Sequence, residues 1–354
     1  MASWPQTPLT ALLGITYPIV QAPMASAATP ALAAAVANAG GLGSLGFGTS
    51  GPDQCRAEIG ALRAATNRPF NVNFFVHAAP ADDPTRRARM QAGLARYYAE
   101  LGVEPDASAP PPPFDHAMLE VVLSERPAVV SFHFGLPTPA RLRAVKDAGA
   151  IVLSSATTVA EARWLEVEGA DVVIAQGYEA GGHRGTFRSD FGGAQIGTMA
   201  LVPQVVEAVR CPVIAAGGIM DGRGIAAALM LGAAGAQLGT AFLGCPETRI
   251  HPLHRDALGA STDESAQMTR LFTGRPARAL ANRLVREMAD AEADALDFPL
   301  QRGLTVPLGQ AAAQRGSADF LSLWAGQGAP LLRRLPATAL VETLIEEVEQ
   351  ALAR

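Results

Sequence analysis

Apolar positions fall in two alternating periods along this chain. Short continuous apolar runs occur at "YPIVQAPM" (17–24), "FNVNFF" (70–75), "AVVSFH" (128–133) and "CPVIAAGG" (211–218). Four further segments repeat one phrase: "NAGGLGSLG" (38–46), "DAGAIVLSS" (147–155), "EGADVVIAQ" (168–176) and "LGAAGAQLG" (231–239). Each reads as a helix end, a small-residue turn and an apolar strand. Glycine past the last helical turn is a C-cap, and a continuous apolar run suits a parallel strand covered on both faces. Helix starts agree: Thr29-Pro30 reads as an N-cap with proline in the first turn, and "TVAE" from Thr158 to Glu161 as a capping box. Eight strands with helices between them predict a TIM (β/α)8 barrel, with a doubly wound sheet as the alternative.

Two stretches exceed a minimal barrel. An insertion of about 78–127 follows the third strand and contains "PDASAPPPPFD" (105–115), whose proline run excludes helix and central strand. It is expected to pass over one barrel face. Residues 244–354 follow the eighth strand and end in "TALVETLIEEVEQALAR", where Leu340, Leu344, Val348 and Leu352 recur every four residues. That stripe predicts an amphipathic helix packed back on the body. The expected α/β architecture is thus a cofactor-binding barrel over 1–243 and a C-terminal helical extension over 244–354.

Composition narrows the class. Of 354 residues 49% are hydrophobic and 17% charged, the net charge is −5, and Lys146 is the one lysine. No basic run exists, so nucleic acid is not an expected partner. Cys55, Cys211 and Cys245 are odd in number and lack CxxC spacing, which predicts neither zinc nor a disulfide framework. The opening "MASWPQTPLT" has no positive stretch and is not expected to be a signal peptide. Residues 225–244 are apolar, but Gly232, Gly235, Gln237, Gly239 and Thr240 make them a helix and a strand rather than a membrane span. No membrane partner is expected, a reducing cytoplasm is the expected setting, and the oligomeric state is left open.

In such barrels chemistry sits at the C-terminal strand ends, with phosphate bound after strands seven and eight. Gly217, Gly218, Gly222 and Gly224 follow strand seven, and "QLGT" (237–240) lies on strand eight. Their backbone N–H groups suit a phosphate; tight turns and close packing are the other reading. His183 follows strand six and His133 ends strand four, so both should face the mouth, with His77 beside it. His116, His251 and His254 fall in the additions and are expected at the surface. No HxH or HExxH spacing predicts a metal site. Lys146 lies before strand five, at the wrong end for Schiff-base chemistry.

Six motifs in order, "QAPM" (21–24), "NVNFF" (71–75), "SFHFGLP" (131–137), "QGYEAGGHRGTF" (176–187), "AAGGI" (215–219) and "QLGTAFL" (237–243), resemble the nitronate monooxygenase family, also called 2-nitropropane dioxygenases. "LTVPL" (304–308) and "SLWAGQG" (322–328) look like its class I branch. The resemblance implies an FMN enzyme that oxidises alkyl nitronates, such as propionate 3-nitronate, and nitroalkanes with dioxygen to a carbonyl compound and nitrite. It assigns FMN to Pro23, Met24, Asn73, Gln176, Gly181, Gly182, Gly217, Gly218, Gln237, Leu238, Gly239 and Thr240. His183 takes the position of the catalytic histidine and His133 is assigned to the substrate. Phe298 departs from the family pattern, in which tyrosine often precedes the proline. An NAD(P)H-dependent flavin reductase of the same superfamily, enoyl-acyl-carrier or quinone-directed, is the nearest alternative; a flavin-binding protein without turnover is another.

Overall fold

The computed structural model describes Trp4, residues 6–106 and residues 112–353. Part of the proline run and part of the opening decapeptide lie outside the described residues. Eight parallel strands form one sheet: β1 (Ile19–Gln21), β2 (Gly43–Gly46), β3 (Phe70–Phe75), β4 (Val129–His133), β5 (Ile151–Ala156), β6 (Val172–Gln176), β8 (Val213–Ala216) and β9 (Gly235–Leu238). Between β6 and β8 lies the short β7 (Gly182–His183). The sheet runs β1-β9-β8-β6-β5-β4-β3-β2, and a parallel bridge from Val20 to Leu42 joins its two ends. The Gln21 N–H donates to Leu42 O and the Leu42 N–H to Ile19 O, both at 2.9 Å. The chain is a TIM barrel.

Side chains two apart along a strand share a face, and this alternation divides the interior into two layers. Val20, Leu42, Val129, Leu153, Val172, Ile174 and Ile214 form an apolar cluster with Leu9 and Leu13 of the helix Pro8–Leu13, which plugs the lower end. Further along the same strand faces come Ser131 and His133, Ser155, Gln176 and Gln237. The lower barrel is thus sealed by packing, and its upper end is lined by polar side chains.

Thr158 caps the helix Val159–Glu168 through the Glu161 N–H at 3.2 Å. The expected reciprocal half of the capping box is absent. Glu161, fully buried, instead accepts from the Thr157 N–H and hydroxyl and from the N–H groups of Phe187, Arg188 and Ser189. Its carboxylate ties the loop after β7 to the end of β5.

The expected insertion divides in two. The helix His116–Glu125 packs Met118, Leu119 and Val122 with Ile59 and Phe132 as an ordinary barrel helix. The helix Pro84–Leu101 is the addition, packing Met90, Leu94 and Tyr97 against Leu304, Leu308 and Phe320 of the C-terminal segment. That segment is not wholly helical as expected: β10 (Ala266–Thr269) and β11 (Ala277–Leu280) form a hairpin, and β11 pairs antiparallel with β7. Four-residue strands give too short a pattern to read, and the β7 partner has only two residues.

The last helix, Ala337–Leu352, buries Leu340, Leu344 and Val348 against Ile225 and Leu32, each worth about 1.5–3 kcal/mol. Close approach depends on Gly222, where a Cβ would stand 2.3 Å from Glu347 Cβ. Gly222 therefore serves packing rather than phosphate, as does Gly224 against Ile219.

Candidate active site at the barrel mouth

β11 lies across β7 and fixes His183 over the mouth, opposite Ala277. Four rings wall its imidazole, with centroids 5.9 Å (Phe75), 5.8 Å (Phe134), 5.2 Å (Phe298) and 5.5 Å (Trp324) away. Its Nε2 is 2.9 Å from the hydroxyl of Thr273, which is 1% exposed. That hydroxyl also donates to Arg275 O at 3.4 Å, an atom that can only accept. With the hydroxyl proton on that carbonyl, Thr273 accepts from His183 Nε2–H, and the ring's lone pair falls on Nδ1.

His133 reaches the mouth, as expected, but both its ring nitrogens are engaged within the protein. Nε2–H donates to His183 O at 3.2 Å, and Nδ1 accepts from the Ser155 hydroxyl at 2.5 Å. Gln176 holds the same loop from below, where its Nε2 donates to His183 O at 3.0 Å and its Oε1 accepts from the Gly185 N–H at 2.7 Å. His133 and Gln176 thus hold the peptide that carries His183.

Electrostatics follow from crowding of like groups in a partly dry site. Burial, then the neighbouring His133, Arg275, Arg302 and His77, hold the His183 pKa well below its ordinary value. Burial brings His133 and His77 down to about 4. These imidazoles are neutral at pH 7. The Arg275 guanidinium lies 3.8 Å over the Phe134 ring, and burial lowers it to about 10, still charged. The Arg302 guanidinium, lowered by burial, has neither a hydrogen bond nor an ion pair among the described residues. His254, expected at the surface, is buried against Trp324 O at 3.1 Å. His116 and His251 are exposed.

On the other side of the mouth the glycine segments converge. Gly217 and Gly218 have φ of 118° and 70°, values that favour glycine. A Cβ at Gly181 would stand 2.5 Å from the Gly326 nitrogen, whose N–H donates to the Thr240 hydroxyl at 2.8 Å. Gln237 Oε1 is buried and has no partner among the described residues. Asn73 donates to Ser131 Oγ at 2.9 Å. Leu238 is buried in the outer core, so only its backbone faces this group. Pro23 and Met24 lie in the half-buried loop after β1. Gly326 comes from "SLWAGQG", which the sequence marked only as a stretch that looks like the class I branch. Thr273 and Arg275 carried none, since the β7–β11 pairing that gathers them is invisible in sequence.

Fold and site together define a barrel enzyme with one histidine set in an aromatic cage at its mouth. Residues 6–347 match the family described as nitronate monooxygenase. A Pseudomonas aeruginosa protein named nitronate monooxygenase is 47% identical, the match covering 96% of this chain and 98% of that one. A solved nitroalkane oxidase from Streptomyces ansochromogenes is 45% identical with a TM-score of 0.91, over 98% of this chain and 99% of that one. FabK from Thermotoga maritima superposes with a TM-score of 0.78 at 32% identity, over 99% and 98%. The chain belongs to the nitronate monooxygenase family, and it is an oxidoreductase. Among the described residues, no helix is long and apolar enough to cross a membrane.

Proposed function

We propose that the protein uses FMN to oxidise alkyl nitronates with dioxygen to a carbonyl compound and nitrite, and that it turns over neutral nitroalkanes more slowly. His183 carries this reading. It is an imidazole kept neutral, walled by aromatic rings, with no carboxylate hydrogen-bonded to it. Burial lowers the proton affinity of this base, so α-proton removal from a neutral nitroalkane is the slower route. A nitronate has already lost that proton, and its negative charge suits the Arg275 and Arg302 side.

The residues present suit FMN. Gly217, Gly218 and Gly181 offer backbone N–H groups where a Cβ would collide or strain, Gly326 allows the close approach beside Gly181, and among the described residues Gln237 Oε1 has no partner. Pro23, Met24, Asn73, Gln176, Gly181, Gly182, Gly217, Gly218 and the 237–240 backbone would hold it, with Gly326 added. When bound, FMN supplies the electron acceptor and the reaction with dioxygen. The protein's own part is to exclude water with Phe75, Phe134, Phe298 and Trp324, and to attract the anion with its guanidiniums. His183 Nδ1 takes the α-proton of a nitroalkane, with Thr273 orienting its ring. Anaerobic addition of ethylnitronate should bleach the flavin absorbance, whereas NADH should leave it; rapid bleaching by NADH would move the reading to the reductases.

A further inference from the structure

The helix Thr198–Ala208 starts without a side-chain cap from its own N-cap residue, Gly197. Glu179 supplies one from the loop between β6 and β7: its two carboxylate oxygens accept from the Thr198 N–H at 3.0 and 2.9 Å. Thr198 is thereby fixed beside the end of β8. Its hydroxyl has two close acceptors, Glu179 Oε2 at 2.8 Å and Gly217 O at 2.9 Å. Glycines make the room for it. A Cβ at Gly177 would stand 1.9 Å from Thr198 Oγ1, and one at Gly217 would stand 2.9 Å from it.

In a trans peptide the C=O and the following N–H point in opposite directions, so holding Gly217 O against Thr198 turns the Gly218 N–H away from it. Among the described residues neither the Gly217 nor the Gly218 N–H has an acceptor. With φ of 118° and 70°, these two glycines sit where the backbone is freest, and the Thr198 hydroxyl is the side-chain group that holds the peptide between them. A hydroxyl has one proton and a phosphate oxygen only accepts. Thr198, whose proton already serves Gly217 O and Glu179, therefore acts on an anion through the peptide rather than by touching it. We propose that Thr198, anchored by Glu179, is the positioning residue that sets the Gly217–Gly218 peptide for the flavin phosphate, and so sets the preference for FMN over the same flavin without a phosphate. This rests on the reading of FMN at this mouth.

The test equilibrates purified holoenzyme with a mixture of FMN and riboflavin, which differ only in the phosphate, then removes free flavin and separates what stays bound. Wild type should keep FMN. Thr198→Val retains the side-chain shape and the N–H that Glu179 caps but loses the hydroxyl; it should shift the bound ratio toward riboflavin by about three- to tenfold, the worth of one hydrogen bond. Thr198→Ser should return the wild-type ratio. A merely structural role would weaken both flavins alike and leave the ratio in place. A valine variant with the wild-type ratio would therefore overturn the proposal, however much total flavin it lost, and so would a serine variant as shifted as valine. If Thr198→Val does not fold, Thr198→Ala, which also lacks the hydroxyl, decides by the same ratio. Wild type that takes riboflavin as readily as FMN would refute the FMN reading itself, whereas wild type and valine variant that keep FMN equally would refute the role of Thr198 alone.

Discussion

Thr273→Val exchanges the hydroxyl that faces His183 for a methyl group of nearly the same size, so it tests chemistry rather than packing. Two contacts are lost, to His183 Nε2 at 2.9 Å and to Arg275 O at 3.4 Å. The second is long, but it is the contact that directs the hydroxyl proton away from His183. Leaving the buried imidazole nitrogen without a partner costs about 1–3 kcal/mol. The ring can avoid that cost by moving its proton to Nδ1, which moves the lone pair off the atom that accepts the α-proton. At 1.4 kcal/mol per factor of ten, kcat/KM on nitroethane should fall roughly ten- to a hundred-fold. Ethylnitronate, already deprotonated, should lose less than about threefold. Thr273→Ser should restore the nitroethane rate, because it returns the hydroxyl. Nitrite release at pH 7.5, with flavin content measured on each sample, reads all three proteins. A valine variant with wild-type activity on nitroethane would refute the tautomer argument; a serine variant as poor as valine would show that the methyl group, not the hydroxyl, matters.

His183→Asn should remove most activity on nitroalkanes, where a positioned base is worth about 10²–10⁴-fold, while sparing preformed nitronates; equal losses on both would make His183 a binding group. Gly218→Val should release flavin, since φ is 70° and a Cβ there stands 3.1 Å from Glu179 Cβ; full yellow occupancy would contradict the cradle. Leu344→Ala should cost about 2–5 kcal/mol in urea unfolding, and a loss below about 1 kcal/mol would mean that the last helix is loosely docked. His77, His133 and His254 are lowered to about 4, and His183 is also lowered. The unfolded chain therefore binds more protons between pH 6.5 and about 4. Stability should be flat above pH 7 and fall as pH drops through that window, by at most about 1.4 kcal/mol per unit for each histidine. His254→Gln should flatten the fall, and an unchanged slope would contradict this account.

The barrel was legible because its strands are continuous apolar runs and its helix ends carry glycine, both set by local geometry. Each of the eight runs holds a barrel strand, β5 extending one residue beyond its run, and Leu340, Leu344 and Val348 pack as their spacing predicts. His183 could be picked out because a turn without core demand held an imidazole. What surrounds His183 could not. Thr273, Arg275 and Trp324 reach it only through the pairing of β11 with β7, two residues joined to four across some ninety positions. Glu161 shows the same limit: its spacing predicts a capping box, of which only the Thr158 half forms, while its carboxylate bonds a loop 26 residues away. His254 looked like a surface residue because nothing local marks the fold that buries it. His133 was legible as a mouth residue, but not as one whose two nitrogens are already engaged.

The proposed reaction consumes a nitronate and dioxygen and releases nitrite without a nicotinamide. The most direct measurement follows oxygen uptake and nitrite formation together in air-saturated buffer with purified yellow protein and preformed propionate 3-nitronate. The account predicts prompt oxygen consumption, nitrite rising in step with nitronate loss, and no change in either rate when NADH is added. Oxygen uptake that begins only with NADH, with no nitrite formed, would contradict it.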